Sequence, residues 1–145
     1  MEHTFLFQEG YWNAKGYYFD DMDRPLPLAG TTRIIHLDGL WVNEGEMEIN
    51  TGDQSIKIYN RYEIVPFRTG KNHTTWESLN PDLGTLIGRF VIVDDAILST
   101  CRVKSGGYTG TEFLLRVTET HYKNRGVLFK ENDKLSSWSV DLRKE

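Results

Sequence analysis

Apolar and polar residues alternate along most of this chain, and the alternation is interrupted at short intervals by Gly, Asn and Asp. A period of two places alternate side chains on opposite faces of an extended backbone, so the pattern predicts strands joined by tight turns. The clearest case is 40–50, where Glu44, Glu46 and Glu48 fall on one side and Gly45, Met47 and Ile49 on the other. By the same reading strands are expected at 10–20, 31–37, 56–67, 73–79, 85–93, 96–103, 108–119, 121–131 and 134–143. Asp38-Gly39 signals a two-residue hairpin of type I′. Asn80-Pro81-Asp82-Leu83-Gly84, Asp94-Asp95, Ser105-Gly106-Gly107 and Asn132-Asp133 mark further turns. Pro25 and Pro27 cannot donate to a ladder, which assigns 21–29 to a loop. No segment carries a helical period.

About ten regularly spaced strands with hairpin connections predict a sandwich or a barrel. A meander of that length must protect its edges, and closure removes them. The expected architecture is therefore all-β: a single closed or nearly closed antiparallel up-and-down barrel of about eight to ten strands. No linker or low-complexity stretch divides the chain, so 1–145 reads as one domain with a lead-in segment at 1–9.

Composition narrows the function classes. The 145 residues carry a net charge of -4, which argues against a nucleic-acid or anionic-membrane surface. The start of the chain has no basic and apolar signal-peptide pattern, and no apolar run reaches the ~20 residues of a membrane helix. With a single cysteine, Cys101, no internal disulfide is possible, and a cytoplasmic location is expected. Four Trp, seven Tyr and seven Phe are enough either to fill a core or to line a cavity.

Gly10-Tyr11-Trp12 resembles the Gly-x-Trp signature that opens the first strand of lipocalins, and Thr120-His121-Tyr122 resembles their Thr-Asp-Tyr motif, with His121 in place of Asp. The resemblance is to the wider calycin group of lipocalins, fatty-acid-binding proteins, avidin-like barrels and nitrobindin-like haem barrels. It implies a barrel whose floor is closed by Trp12, packed on an Arg from the end of the chain (here Arg143). It also implies a cavity for one small hydrophobic or planar ligand.

Trp12 and Trp138, on the first and last strands, are neighbours in a closed barrel and read as a structural pair. Trp41, Asn43, Tyr59, Arg61 and Trp76 are the candidate pocket wall, since small-ligand pockets combine apolar area with a few placed polar groups. An inward Arg61, Arg89 or Arg116 would orient a ligand carboxylate by paired hydrogen bonds. Alternation alone does not choose the inward face: if Ile58, Tyr62 and Ile64 point in, Arg61 points out. Tyr108, beside the glycine-rich turn, stands at a barrel lip. No cofactor motif is present; a haem would need a single axial histidine, for which His121 is the candidate. His3, His36 and His73 have no metal-ligand spacing, Glu44, Glu46 and Glu48 read as a solvated face, and Cys101 reads as a buried thiol.

The leading expectation is reversible binding of a small hydrophobic or planar ligand, with no nucleic-acid partner. An isomerase, lyase or hydrolase on the same scaffold would draw acid–base groups from Glu77, Glu112, His121 and Tyr108. A filled barrel acting as an interaction domain would self-associate through outward aromatics such as Tyr17 or Phe19.

Overall fold

The computed structural model describes residues 2–145. Ten antiparallel strands form one closed barrel: β1 (Gly10–Phe19), β2 (Pro25–Leu37), β3 (Leu40–Asn50), β4 (Ser55–Ile64), β5 (His73–Asn80), β6 (Gly84–Val93), β7 (Ala96–Val103), β8 (Tyr108–Thr118), β9 (His121–Lys130) and β10 (Asp133–Lys144). Each strand pairs with its neighbours in sequence, and β1 pairs with β10 to close the cylinder. No helix long and apolar enough to cross a membrane occurs among the described residues.

Two local expectations change. Pro25 and Pro27 lie on β2 rather than in a loop, opposite Phe19 and Tyr17 of β1. The β2–β3 ladder reaches only to Leu28, so both prolines occupy an edge stretch where a missing donor is tolerated. The Asp38-Gly39 hairpin forms as expected, but only Gly39 (φ 72°) is left-handed, whereas type I′ needs two such residues.

Register decides which face is inward. On β1 the inward set is Trp12, Ala14, Gly16 and Tyr18; on β3 it is Trp41, Asn43, Gly45, Met47 and Ile49. One end of the barrel is plugged by the lead-in segment. Phe5 and Leu6 are buried there against Trp12 and Tyr122, both of which are fully enclosed. Phe5 meets Trp12 edge-on at 5.3 Å, and Trp12 meets Tyr122 edge-on at 5.6 Å, the geometry aromatic quadrupoles favour. Polar ties hold the plug. The Asp94 carbonyl, 2.8 Å from His3 Nε2, places the ring proton there, so His3 Nδ1 accepts the Tyr122 hydroxyl proton at 2.7 Å. Thr4 N–H donates to the same Tyr122 oxygen, and Thr4 Oγ1 to the Glu119 carbonyl. His36 Nε2 donates to the Leu6 carbonyl and stacks on Trp41 at 4.1 Å. Trp12 therefore closes the floor as the lipocalin resemblance implies. Its partners are Phe5 and Tyr122, however, and not Arg143, which is exposed on the outward face of β10.

Above this floor many inward side chains are only partly buried, among them Tyr18, Met47, Ile58, Tyr62, Leu86, Glu112, Leu128 and Trp138. Accessible surface on these inward faces marks space that side chains leave open, which makes this the more open, partly hollow half of the barrel, although Leu28, Ile49, Val103 and Ser136 within it are buried. The wall is weakest between β4 and β5, which pair only at Glu63–Glu77 and Ile64–Trp76 before the strands part.

Candidate functional site in the hollow half of the barrel

Two tryptophans organise the hollow half in the same way. Trp76 of β5 lies across Gly88 of β6, and a Cβ on that glycine would overlap the indole. From there Trp76 Nε1 donates to Ser99 Oγ of β7 at 3.2 Å. Trp138 of β10 lies across Gly126 of β9, again where a Cβ would overlap the ring. Its Nε1 donates to Glu112 Oε2 of β8 at 2.9 Å. Ser99 and Glu112 are register partners on β7 and β8. The two indoles thus approach one polar pair from opposite sides, each reaching across a glycine strand.

Tyr62 of β4 adds a third ring, edge-on to Trp76 at 4.8 Å. Cys101 of β7 stands one inward step from Ser99, opposite Gly110 of β8, a third close-packed glycine, where a Cβ would press on the Cys101 sulfur. The strand wall and the Trp138 indole around Glu112 desolvate its carboxyl. Burial raises its pKa, partly offset by the neighbouring Asn124 amide and the hydrogen bond from Trp138. Burial likewise raises the Cys101 thiol and drives the Tyr62 hydroxyl far above its ordinary value, in both cases with a further push from the nearby Glu112 charge. Among the described residues no Lys or Arg makes an ion pair with Glu112.

Of the residues expected to line the pocket, Trp76 faces inward but is buried, packed between Tyr62 and Phe90, and Tyr108 sits at the rim with Lys130 above its ring at 5.9 Å. Trp41 belongs to the floor, packed edge-on against Phe7 at 5.6 Å and stacked on His36. Asn43 points inward but is satisfied, its Nδ2 donating to Thr32 Oγ1 at 2.6 Å and also to the Arg33 carbonyl. Arg116 points inward near the floor, opposite Tyr122, with its Nε buried and unpartnered.

Tyr59, Arg61, Arg89 and His121 require correction. Tyr59 and Arg61 are outside because Ile58, Tyr62 and Ile64 take the inward register of β4. On the outer wall Arg61 and Arg33 flank Glu44 at 3.1 and 3.8 Å, while Lys57 and Tyr59 meet Glu46. Arg89 is exposed because Phe90 of β6 faces the core. His121 is outside because Tyr122 takes the inward position; it bonds Asp141 at 2.7 Å, and so holds the Asp141 carboxyl below its usual range. With His3 and His36 in the floor and His73 exposed, no described histidine faces the hollow half. Among the acid–base candidates Glu77 is exposed and Glu112 is inside. No described group of three or more His, Cys, Asp or Glu could hold a metal ion.

Trp138 is the main omission from the expected pocket. Being on the strand next to Trp12 suggested a shared structural role, but the register sets Trp138 opposite Tyr18, well above the floor. Ser99, Tyr62 and the paired glycines were missed as well. Gly88 and Gly126 are visible in the sequence, but their meaning depends on which strand carries a tryptophan at the same level.

No family model matches the chain, and no curated protein matches it. Among solved structures the S-type phycobiliprotein lyase CPES from Guillardia theta is similar in fold. Its TM-score is 0.55 at 8% identity, over 97% of this chain and 90% of that one. The AttH protein of Nitrosomonas europaea aligns at a TM-score of 0.34 with 10% identity, over 92% of this chain and 50% of that one, a likeness that carries no argument. The fold is that of a calycin-like barrel.

Proposed function

We propose that this barrel reversibly binds a small, largely apolar, planar ligand in its hollow half. The observation that carries the reading is the partly exposed Trp138 indole, seated over Gly126 and fixed by its N–H to Glu112, among the inward and partly exposed Tyr62, Leu86 and Leu128, with the buried Trp76 backing Tyr62. Rigid aromatic faces around internal space, with few polar groups, are what a pocket for a flat molecule needs. Burial of apolar area, at about 25 cal/mol per Å², would drive association against its entropic cost. Sharing a fold with a phycobiliprotein lyase is compatible with a ligand-handling role, although fold alone does not assign one.

Catalysis on the same scaffold is less well supported. General acid–base work needs two titratable groups within hydrogen-bond reach. The side-chain hydrogen-bond partner of Glu112 is Trp138, which does not titrate, and the neighbouring Asn124 amide donates to the Phe113 carbonyl.

The test is a titration with neutral hydroxymethylanthracene, followed by indole fluorescence. Saturable quenching that persists in Tyr59→Ala and is lost in Trp138→Ala is expected. Absence of saturable binding, or equal loss in both variants, overturns the reading.

A further inference from the structure

The geometry points to a planar ligand that carries a positively charged nitrogen, seated with its charge against Glu112 and its ring against the Trp138 indole. This rests on the reading that the hollow half holds a ligand, and it adds the ligand's charge.

The polarity of the interior is the starting point. The arginines that a carboxylate ligand would use, Arg61 and Arg89, are on the outer wall. Arg116 is inward but two inward positions closer to the floor than Glu112, beyond the buried Leu114. Lys130 is at the rim, over Tyr108. The ionisable groups around the central space are the Glu112 carboxyl, the Cys101 thiol and the phenols of Tyr62 and Tyr18, acids that carry no positive charge.

Three kinds of flat ligand then differ sharply. An anion would set a second negative charge beside the carboxyl, in surroundings of low polarity, where like charges repel strongly. A neutral ring gains apolar burial but leaves Glu112 with only the Trp138 donor. A cation supplies the missing countercharge, forming a charge-assisted hydrogen bond to the carboxylate. It also meets the negative face of the Trp138 indole, a favourable cation–π contact in a desolvated site. Where the empty barrel holds Glu112 protonated, the balance is simple: the carboxylic acid and the cation become a carboxylate–cation pair, and one proton passes to solvent.

The experiment compares three tricyclic probes of matched size on the full chain near neutral pH: aminoacridine as cation, hydroxymethylanthracene as neutral ring and anthracene carboxylate as anion. Aminoacridine is expected to bind about tenfold or more tighter than the neutral ring, with the anion weakest. Glu112→Gln keeps the shape and a hydrogen-bonding group but cannot pair a charge. It should bring the cation to within about twofold of the neutral probe, with near-ultraviolet dichroism unchanged. Affinity of the wild-type protein measured from acid to alkaline pH supplies a second measure, independent of whether the variant folds: aminoacridine should bind more tightly as pH rises and Glu112 ionises, while the neutral ring should not change. Equal or tighter binding of the anion, a cation preference that survives Glu112→Gln, or aminoacridine affinity that does not rise with pH overturns the charge assignment. If the neutral ring binds saturably and the cation gains nothing over it, only this inference fails. If none of the three binds, the pocket reading fails first.

Discussion

Ser99 and Glu112 face each other across the β7–β8 ladder, and each accepts an indole N–H from a tryptophan two strands away, in opposite directions around the barrel. Between each tryptophan and its acceptor lies a strand that carries glycine at the crossing point, Gly88 on one side and Gly126 on the other. The arrangement explains how large aromatics can line a barrel without filling it. Each indole takes the room its glycine leaves against the wall, and the hydrogen bond fixes the ring there.

A side chain at Gly126 would break that arrangement. Gly126→Ala places a methyl group where the Trp138 ring lies, so the ring must leave the wall and lose its bond to Glu112. Overpacking of this kind costs about 1–3 kcal/mol. Urea denaturation should show that loss, the Trp138 emission should shift, and affinity for a flat neutral probe should fall. An unchanged spectrum with unchanged affinity would show that Trp138 does not need the glycine.

The desolvated Glu112 carboxyl makes stability depend on pH. Its folded-state pKa is raised above the ordinary 4.5, so the folded protein holds this proton more tightly than the unfolded chain does. The associated stability is complete below about pH 4 and is lost as pH rises through the folded-state pKa. Glu112→Gln removes the penalty of ionising there. Its urea midpoint should exceed that of the wild type near neutral pH, and the difference should vanish toward about pH 4. A difference that grows on acidification would reverse the sign of the argument.

Strands, hairpins and closure were legible because they follow from a period of two and from local turn chemistry. Even the floor residue Trp12 could be placed, because its position at the head of β1 is a local feature. The pocket wall was not legible, because it depends on register. One slip of parity on β4 exchanges Tyr59 and Arg61 for Ile58 and Tyr62, and both sets carry apolar and polar atoms. The cross-strand partners decide the matter: Glu44 and Glu46 on β3 attract Arg61, Lys57 and Tyr59 to the outer side. Those two glutamates were in view, and pairing their face with the basic residues of the next strand would have fixed the inward side of β4.

The outer ion pairs are consequently expected to matter little. Arg61 is about half exposed, and its pair with Glu44 is screened by solvent. Arg61→Ala should change stability by no more than about 1 kcal/mol and leave probe affinity unchanged. A marked loss of binding in this variant would place the ligand on the outer groove that runs past Tyr11, Glu44, Arg61 and Leu79.

The floor should be far more sensitive. Tyr122 is fully buried, and its hydroxyl is the shared partner of His3 Nδ1 and Thr4 N–H. Tyr122→Phe keeps the ring packed on Trp12 and Phe5 but strands both partners in a dry site. A cost of about 1–3 kcal/mol is expected in urea denaturation, because an unsatisfied buried group forfeits its solvation without return. A neutral outcome would mean that the lead-in segment does not depend on this bond.

The separation of β4 and β5 predicts where the wall opens first. Past Tyr62 and Ser78 the two strands no longer share a ladder, although β4 remains fully paired with β3 and β5 with β6. Amides on β4 that point toward the gap have no strand partner, whereas their alternates are held by β3. Hydrogen exchange should therefore alternate along Ser55–Tyr62, with the gap-facing amides exchanging fast and their neighbours protected. A flat ligand in the hollow half contacts Tyr62 from within, so adding hydroxymethylanthracene should slow exchange at Tyr62 and its neighbours on β4 more than on β9. Uniform protection along β4 in the free protein would show that the two strands close up in solution.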